Sequence, residues 1–423
     1  MAQLLIKNGL LIDPETGETR QDLLLDRGRI VRAAAGIKAP AGCAVYDAAG
    51  LWVFPGFIDV HVHAREPGGE ASENIASAAA AAAAGGVTSL LLMPNTAPPM
   101  AKPALLRRYA AAAAGLPVNV YFSAAATAGR AGRCAADLGA LKRAGARAFT
   151  DDGGCLPASL LPALIRRAAS LGLPLLDHPE DFGRTGGGVL NAGPAARRLG
   201  LPGIPAEAEA LAVLRDILAA AGAGPIHLQH LSLSASVAAL RLAKAAGWAV
   251  TGETCPHYFT LCEADIKRND ADFKMKPPLR SPDDRKAVLA GLADGTIDLI
   301  ATDHAPHAPA LKAGGFLKAP FGIIGLETLA PLCVTELVLK KVISRRRLAQ
   351  LLCANPARLL GLKGKGSLRP GSDADLTILD PRSPRSVPER FVSRSANSPF
   401  KGRLLRGWPA ATVAAGKLVY SAR

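Results

Sequence analysis

Aromatic side chains are scarce: Trp, Tyr and Phe together make up 4% of the chain, while hydrophobic residues of all kinds make up 49%. The core must therefore be built from Ala, Leu and Val. The few aromatics do not interleave with the basic residues, so the pattern offers no stacking platform for nucleic acid. Long apolar runs are also missing. The stretch "ASAAAAAAAGG" is small-residue helix, and no run reaches the length of a membrane span. The N-terminal stretch "MAQLLIKNGLLIDPETGE" lacks a basic region followed by an apolar one, so no signal peptide is expected. The seven cysteines, Cys43, Cys134, Cys155, Cys255, Cys262, Cys333 and Cys353, are odd in number and widely spaced, without a CxxC pair. This excludes a disulfide framework and a thiolate zinc site, and it favours a reducing, cytoplasmic setting. The net charge is +15, but Lys and Arg are dispersed ("LLRRY", "LIRRAA", "SRRRLAQ") and read as solvated helix faces.

What is present is alternation of short aliphatic runs with longer Ala/Leu stretches. Strands are expected at 57–63, 87–94, 118–124, 146–151, 173–178, 225–230, 248–254 and 297–303. Helical patterns fall at 72–84, 102–114, 134–144, 157–171, 205–221, 234–246 and 283–293. Eight strands alternating with helices predict an α/β fold, a (β/α)8 TIM-like barrel over 55–362. Both ends carry short strands with turns instead. Residues 1–54 and 363–423 are expected to form one small β-sandwich domain beside the barrel, with 381–400, rich in Pro, Ser and Arg, as a loop.

The chain has only eight histidines, and two of them stand two residues apart in "FPGFIDVHVHAREPGG". Phe57, Ile58, Val60 and Val62 read as buried, and Asp59, His61, His63 and Arg65 alternate with them on one face. His61 and His63 end the first strand, Asp151 the fourth, His178 the fifth, His230 the sixth and Asp303 the eighth. In a barrel these carboxyl ends converge on one mouth. Imidazole and carboxylate donors without thiolate suit Zn²⁺ and similar divalent ions. Six such donors are too many for one tetrahedral ion and suit two ions sharing a bridging carboxylate.

The motifs "GFIDVHVHAREPG", "LLMPNT", "FTDDG", "HLQHLS", "KMKPPLR", "ATDHAPH", "APFGIIGLET", "NPARLLGL" and "GSDADLTILD" span almost the whole chain. Together they resemble the type I dihydroorotases of the cyclic amidohydrolase superfamily. The resemblance implies one zinc on His61, His63 and Asp303 and a second on His178 and His230. It implies Asp151 as the bridge, where many relatives use a carboxylated lysine; Asp152 is the adjacent alternative. It assigns Arg65, Asn95 and His307 to the substrate. The family's "KMNPPLR" reads "KMKPPLR" here, so Lys276 stands where a substrate-contacting Asn is usual, and the loop 308–320 is Ala- and Gly-rich.

The reaction so implied is zinc-dependent, reversible cyclisation of N-carbamoyl-L-aspartate to L-dihydroorotate in pyrimidine biosynthesis. A metal-bridging hydroxide would be the nucleophile and Asp303 the general acid and base. Two alternatives stand beside it. One is a related cyclic amidase of the dihydropyrimidinase, hydantoinase or allantoinase kind. The other is a non-catalytic partner of aspartate transcarbamoylase. The expected partners are the small-molecule substrate and a second copy in a homodimer, with association with the transcarbamoylase left open. Neither nucleic acid nor membrane is expected.

Overall fold

The computed structural model describes residues 3–422. A strand forms in each of the eight expected stretches: Phe57–Val62, Val87–Leu92, Asn119–Ala124, Ala146–Phe149, Leu176–Asp177, Ile226–Leu228, Val250–Thr254 and Leu299–Ile300. The first four pair in parallel as one sheet and the last four as another, each in chain order. Single parallel bridges link the two sheets at both edges, Phe149 to Leu175 and Val62 to His304. Every residue of Phe57–Val62 and Val87–Leu92 is buried, as expected of parallel strands covered on both faces.

The strict alternation expected along the first strand is not kept. Its pairing with Val87–Leu92 shifts register after Phe57 and again between Asp59 and Val62. Phe57 and Val62 pack into the largest apolar cluster, whereas Ile58 and Val60 join a smaller one with Leu91, Ala148, Leu176, Leu299 and Ala301. That smaller cluster draws on strands of both parallel sheets, so their side chains meet.

Residues near both chain ends make two further sheets. One orders Arg29–Ala34, Asp22–Asp26, Leu4–Lys7 and Ala44–Asp47; the other orders Lys417–Ser421, Trp408–Ala414, Leu376–Asp380, Trp52–Pro55, Leu10–Asp13 and Gly17–Arg20. Leu4, Ile6, Leu23 and Ile30 of the first share a core with Leu11, Val53, Leu376, Ile378 and Val413 of the second. The strand Trp52–Pro55 runs through Gly56 into Phe57–Val62, so the first histidine strand continues directly from the end-built sheets.

The seven expected helices form, with ends shifted by a few residues: Ile75–Ala84, Pro103–Ala112, Leu138–Arg143, Leu161–Ser170, Glu207–Ala223, Ser234–Ala245 and Pro282–Asp294. A further helical segment, 326–338 and, after a break at 339–344, 345–359, was not expected. It includes wide π-type turns at Cys333–Val338 and Gln350–Ala354, and Leu326, Leu329, Val334, Leu337, Leu348, Leu351 and Leu352 are all buried in it. A helix covered on several sides loses the one-faced periodicity by which surface helices are recognised.

The segment 381–400 has little regular structure but is tied down. Asn397 donates its amide to the carbonyls of Ala305 and Gly322 and accepts from the His307 backbone. Ser393 bonds Glu73, and Ser395 bonds the Ser72 carbonyl.

The all-alanine face of Ile75–Ala84 brings its C-terminal Gly85 against the Leu326 backbone. A Cβ on Gly85 would lie 2.0 Å from the Leu326 carbonyl oxygen, although its φ of −84° suits any residue. Gly85→Ala should therefore destabilise by overpacking, about 1–3 kcal/mol, read as a lowered thermal midpoint.

Candidate active site

The strand ends bring His61, His63, His178, His230 and Asp303 together with Asp152, not with Asp151. Two sets of possible ligand atoms lie within 4.8 Å of one another: His61, His63 and Asp303, and Asp152, His178 and His230. Of the two aspartates weighed as a bridge, it is Asp152, the adjacent alternative, and not Asp151 whose carboxylate stands with these histidines. The Asp151 carboxylate turns away and accepts hydrogen bonds from the backbone N–H of Ala126 and Thr127, 2.9 and 3.1 Å, and from the Thr127 hydroxyl. Asp152 stands between the two sets: its carboxylate lies 3.2 Å from His61 Nε2, 3.5 Å from His63 Nε2 and 3.3 Å from His178 Nδ1. Asp151 is used up in holding the turn that aims Asp152.

Each imidazole has one nitrogen aimed at the centre and, for three of them, a partner on the other. His61 Nδ1 lies 2.7 Å from Glu253 Oε1, His63 Nδ1 lies 2.9 Å from Asn95 Oδ1, and His178 Nε2 lies 3.5 Å from Glu180 Oε2. At His61 and His63 the carboxylate and amide oxygens take the N–H and leave the inward lone pair free for a cation, whereas His178 Nε2 and Glu180 are close but not hydrogen-bonded. His227, which lies three residues before His230, joins this support through Glu253 at 3.0 Å. Asp59 accepts from the Thr302 backbone and hydroxyl, which fixes the residue before Asp303. Burial pushes the Asp59 carboxyl up to about 7.

Three non-glycine residues of the mouth have left-handed backbone. Arg65, His230 and Asp303 have φ of 58°, 39° and 47°, the left-handed region that non-glycine residues avoid at a cost of roughly 1–3 kcal/mol each. At all three the chain leaves a strand, and the reversed φ turns the side chain toward the mouth.

Several observations fit a divalent metal. Two donors about 2.05 Å from one tetrahedral ion stand about 3.3 Å apart. The inward atoms fall near this value: His61 Nε2 lies 3.4 Å and His63 Nε2 2.9 Å from Asp303 Oδ1. Yet the buried His61 Nε2 and Asp152 Oδ2 form no hydrogen bond, as expected of atoms aimed at a common cation rather than at one another. The electrostatics agree. Burial disfavours a charged His178, but Asp152 and Glu180 outweigh it and raise it to about 9. His61 is likewise driven well up, against burial, by Asp303, Asp152 and Glu253. Buried His230 is held well down, with His178 and His61 beside it. The centre attracts positive charge.

Beside these ligand-type groups is a cavity of about 360 Å³ lined by His63, Arg65, Asn95, Asp152, His178, Lys276 and Asp303, with Phe182 and Phe321 as apolar walls. Arg65 donates from Nε to the Pro306 carbonyl, 3.1 Å, and lies 3.3 Å from His307 Nε2. His307 itself does not line the cavity; it sits behind Arg65, 2.8 Å from the Phe321 carbonyl, and burial together with Arg65 lowers it to about 3, so its ring is neutral. Lys276 Nζ lies 3.9 Å from the centre of the Phe182 ring and 3.5 Å from Glu180 Oε2. The loop 308–320 is braced by buried cations: Lys274 donates to the Ala319 carbonyl and Lys312 to the Pro320 and Gly322 carbonyls.

Glu253 and Glu180 were not anticipated. Both are fully buried carboxylates. Glu253 ends a strand in "TGET", a position shared by the expected ligands, and this was the available signal; Glu180, two residues past His178, had none.

A model of the amidohydrolase family matches residues 52–419. The chain is 45% identical over 425 residues to a dihydroorotase of Pelotomaculum thermopropionicum, covering 100% of this chain and 99% of that protein. It is 43% identical over 419 residues to a dihydroorotase of Bacillus caldolyticus, covering 98% of each. Among solved structures, an L-hydantoinase (dihydropyrimidinase) from Arthrobacter aurescens superposes with a TM-score of 0.90 at 27% identity, over 100% of this chain and 96% of that one. A dihydropyrimidinase from Brevibacillus agri NCHU1002 gives 0.87 at 25%, over 99% and 95%.

The two neighbouring aspartates should separate by substitution. Asp152→Asn is expected to lower the divalent metal recovered per chain, by elemental analysis, while leaving the thermal midpoint near wild type. Asp151→Asn should do the reverse, lowering the midpoint with most metal retained. Equal metal loss in both would place the bridge elsewhere.

Proposed function

The chain belongs to the amidohydrolase family, and the relatives 43–45% identical to it over nearly its full length are dihydroorotases; on that footing we propose that it interconverts N-carbamoyl-L-aspartate and L-dihydroorotate, as in pyrimidine biosynthesis. The observation that carries the assignment is Arg65, a half-buried guanidinium on the cavity wall with Asn95 beside the ligand-type histidines. A planar, permanently charged donor pair matches a substrate carboxylate. Dihydroorotate and carbamoyl-aspartate both carry one, whereas dihydrouracil and hydantoin do not.

We read the architecture as a closed (β/α)8 barrel over 55–362, with 1–54 and 363–423 as one β-sandwich domain. The bridges at both sheet edges and the shared core of the end-built sheets support this. We assign His61, His63 and Asp303 to one divalent ion and His178 and His230 to a second, with Asp152 between them; zinc suits the nitrogen and oxygen donors. When bound, such ions make hydroxide available near neutral pH and polarise the scissile carbonyl.

The residues do the rest. Arg65 and Asn95 hold the substrate carboxylate, and His307 braces Arg65. Phe182 and Phe321 cover the ring and reduce water access. Asp303, strained into the mouth and 2.9 Å from His63, takes the proton of the attacking water and passes it to the ring nitrogen as the amide C–N bond breaks. In ring closure it runs the same transfer in reverse.

Three outcomes test this reading. The purified protein should turn over dihydroorotate and carbamoyl-aspartate but not dihydrouracil, hydantoin or allantoin, lose activity on chelation and regain it with zinc. Preference for a ring without a carboxylate would favour the hydantoinase-like reading instead. Asp303→Asn should keep most of its metal while kcat falls about 10²- to 10⁴-fold. Arg65→Ala should raise KM roughly 10- to 100-fold through loss of a charge-assisted contact with metal content unchanged.

A further inference from the structure

Lys276 places a second cation on the cavity wall. Its ammonium rests on the face of Phe182, 3.9 Å from the ring centre, with the Phe321 ring 5.3 Å away. Glu180 lies 3.5 Å from it, fully buried, with neither carboxylate oxygen hydrogen-bonded. Glu180 does not line the cavity, whereas Lys276 does. The pair is therefore a dipole with its positive end toward the ligand. Aromatic faces attract a cation and hold it in place, and the buried carboxylate offsets part of its desolvation. Arg65 already supplies one guanidinium for one substrate carboxylate, so Lys276 is a charge in excess of what a monoanion needs.

The two ends of the reaction differ in charge. Ring closure takes up one proton and releases one water: a dianion with two carboxylates becomes a monoanion with one. We propose that Lys276 is a specificity-determining residue that sorts the two ground states by charge, holding the open dicarboxylate more tightly than the closed monocarboxylate. The proposal rests on the reaction assigned above.

Thermodynamics defines the readout. The ratio of kcat/KM in the two directions is fixed by the solution equilibrium, and no substitution can move it. A charge that acts on one ground state must instead change the ratio of the two KM values, with compensating changes in kcat. Lys276→Met keeps the apolar stem and removes the charge. It should raise KM for carbamoyl-aspartate about 5- to 20-fold relative to KM for dihydroorotate, the range of a partly desolvated charge contact. The ratio of ring-closing to ring-opening kcat should rise by the same factor. Lys276→Arg, which keeps the charge, should hold the KM ratio near wild type. Metal content and thermal midpoint are measured alongside; if Lys276→Met folds poorly, Lys276→Gln carries the same comparison. A KM ratio unchanged on loss of the charge, or shifted equally by Lys276→Arg, overturns the proposal. Failure of the wild-type protein to turn over either compound overturns the underlying reaction instead, and it is seen before any substitution is made.

Discussion

Four imidazoles and two carboxylates, nearly all of their surface out of water, aim lone pairs at one small region. Left to themselves such groups repel or misalign; a shared positive charge is what makes the arrangement favourable. The remaining features of the mouth follow from keeping those lone pairs inward. Glu253 and Asn95 occupy the opposite ring nitrogens of His61 and His63. Asp59 fastens Thr302 so that Asp303 can turn in. Asp151 fastens the 126–127 backbone so that Asp152 can. Positive φ at His230 and Asp303 is tolerated because packing on every side over-determines those positions.

Much of this was legible in the chain, for a definable reason. Parallel strands buried on both faces read as aliphatic runs, so a polar residue at the end of one stands out, and His61, His63, His178, His230 and Asp303 were found that way. The same reasoning favoured Asp151, whereas it is the Asp152 carboxylate that stands among the histidines. Periodicity gives the facing of a side chain only while the strand stays regular, and at "FTDDG" the strand has ended at Phe149. Which of two adjacent aspartates faces inward is then decided by hydrogen bonds to 126–127, contacts made across more than twenty residues. Irregular pairing in Phe57–Val62 broke simple alternation in the same way. The helical segment 326–338 and 345–359 escaped because burial on several sides erased its periodicity.

The walls of the cavity divide the labour differently from the metal-type cluster. The cluster is uniform in chemistry, every member offering a nitrogen or oxygen that could hold a cation. The wall is asymmetric: Arg65 and Lys276 present charge, Phe182 and Phe321 present faces, and each cation has its own anionic or carbonyl support behind it. Substitution in the wall can therefore change what is bound without disturbing what holds the metal, and the lysine in "KMKPPLR" is a change of that kind.

The grip of Asn397 on Ala305, Gly322 and His307 has a consequence for how the protein is made on the ribosome. The mouth is assembled from strands spread over residues 57–303, but the clasp that fixes its last loop is about ninety residues further on, and the sheet that anchors the first histidine strand needs Leu376–Asp380 as a neighbour. A nascent chain cannot finish the site as its strands emerge; it must wait for nearly the whole polypeptide. Contacts of such long sequence separation slow folding, and until they close, the aliphatic strands stand exposed to aggregation.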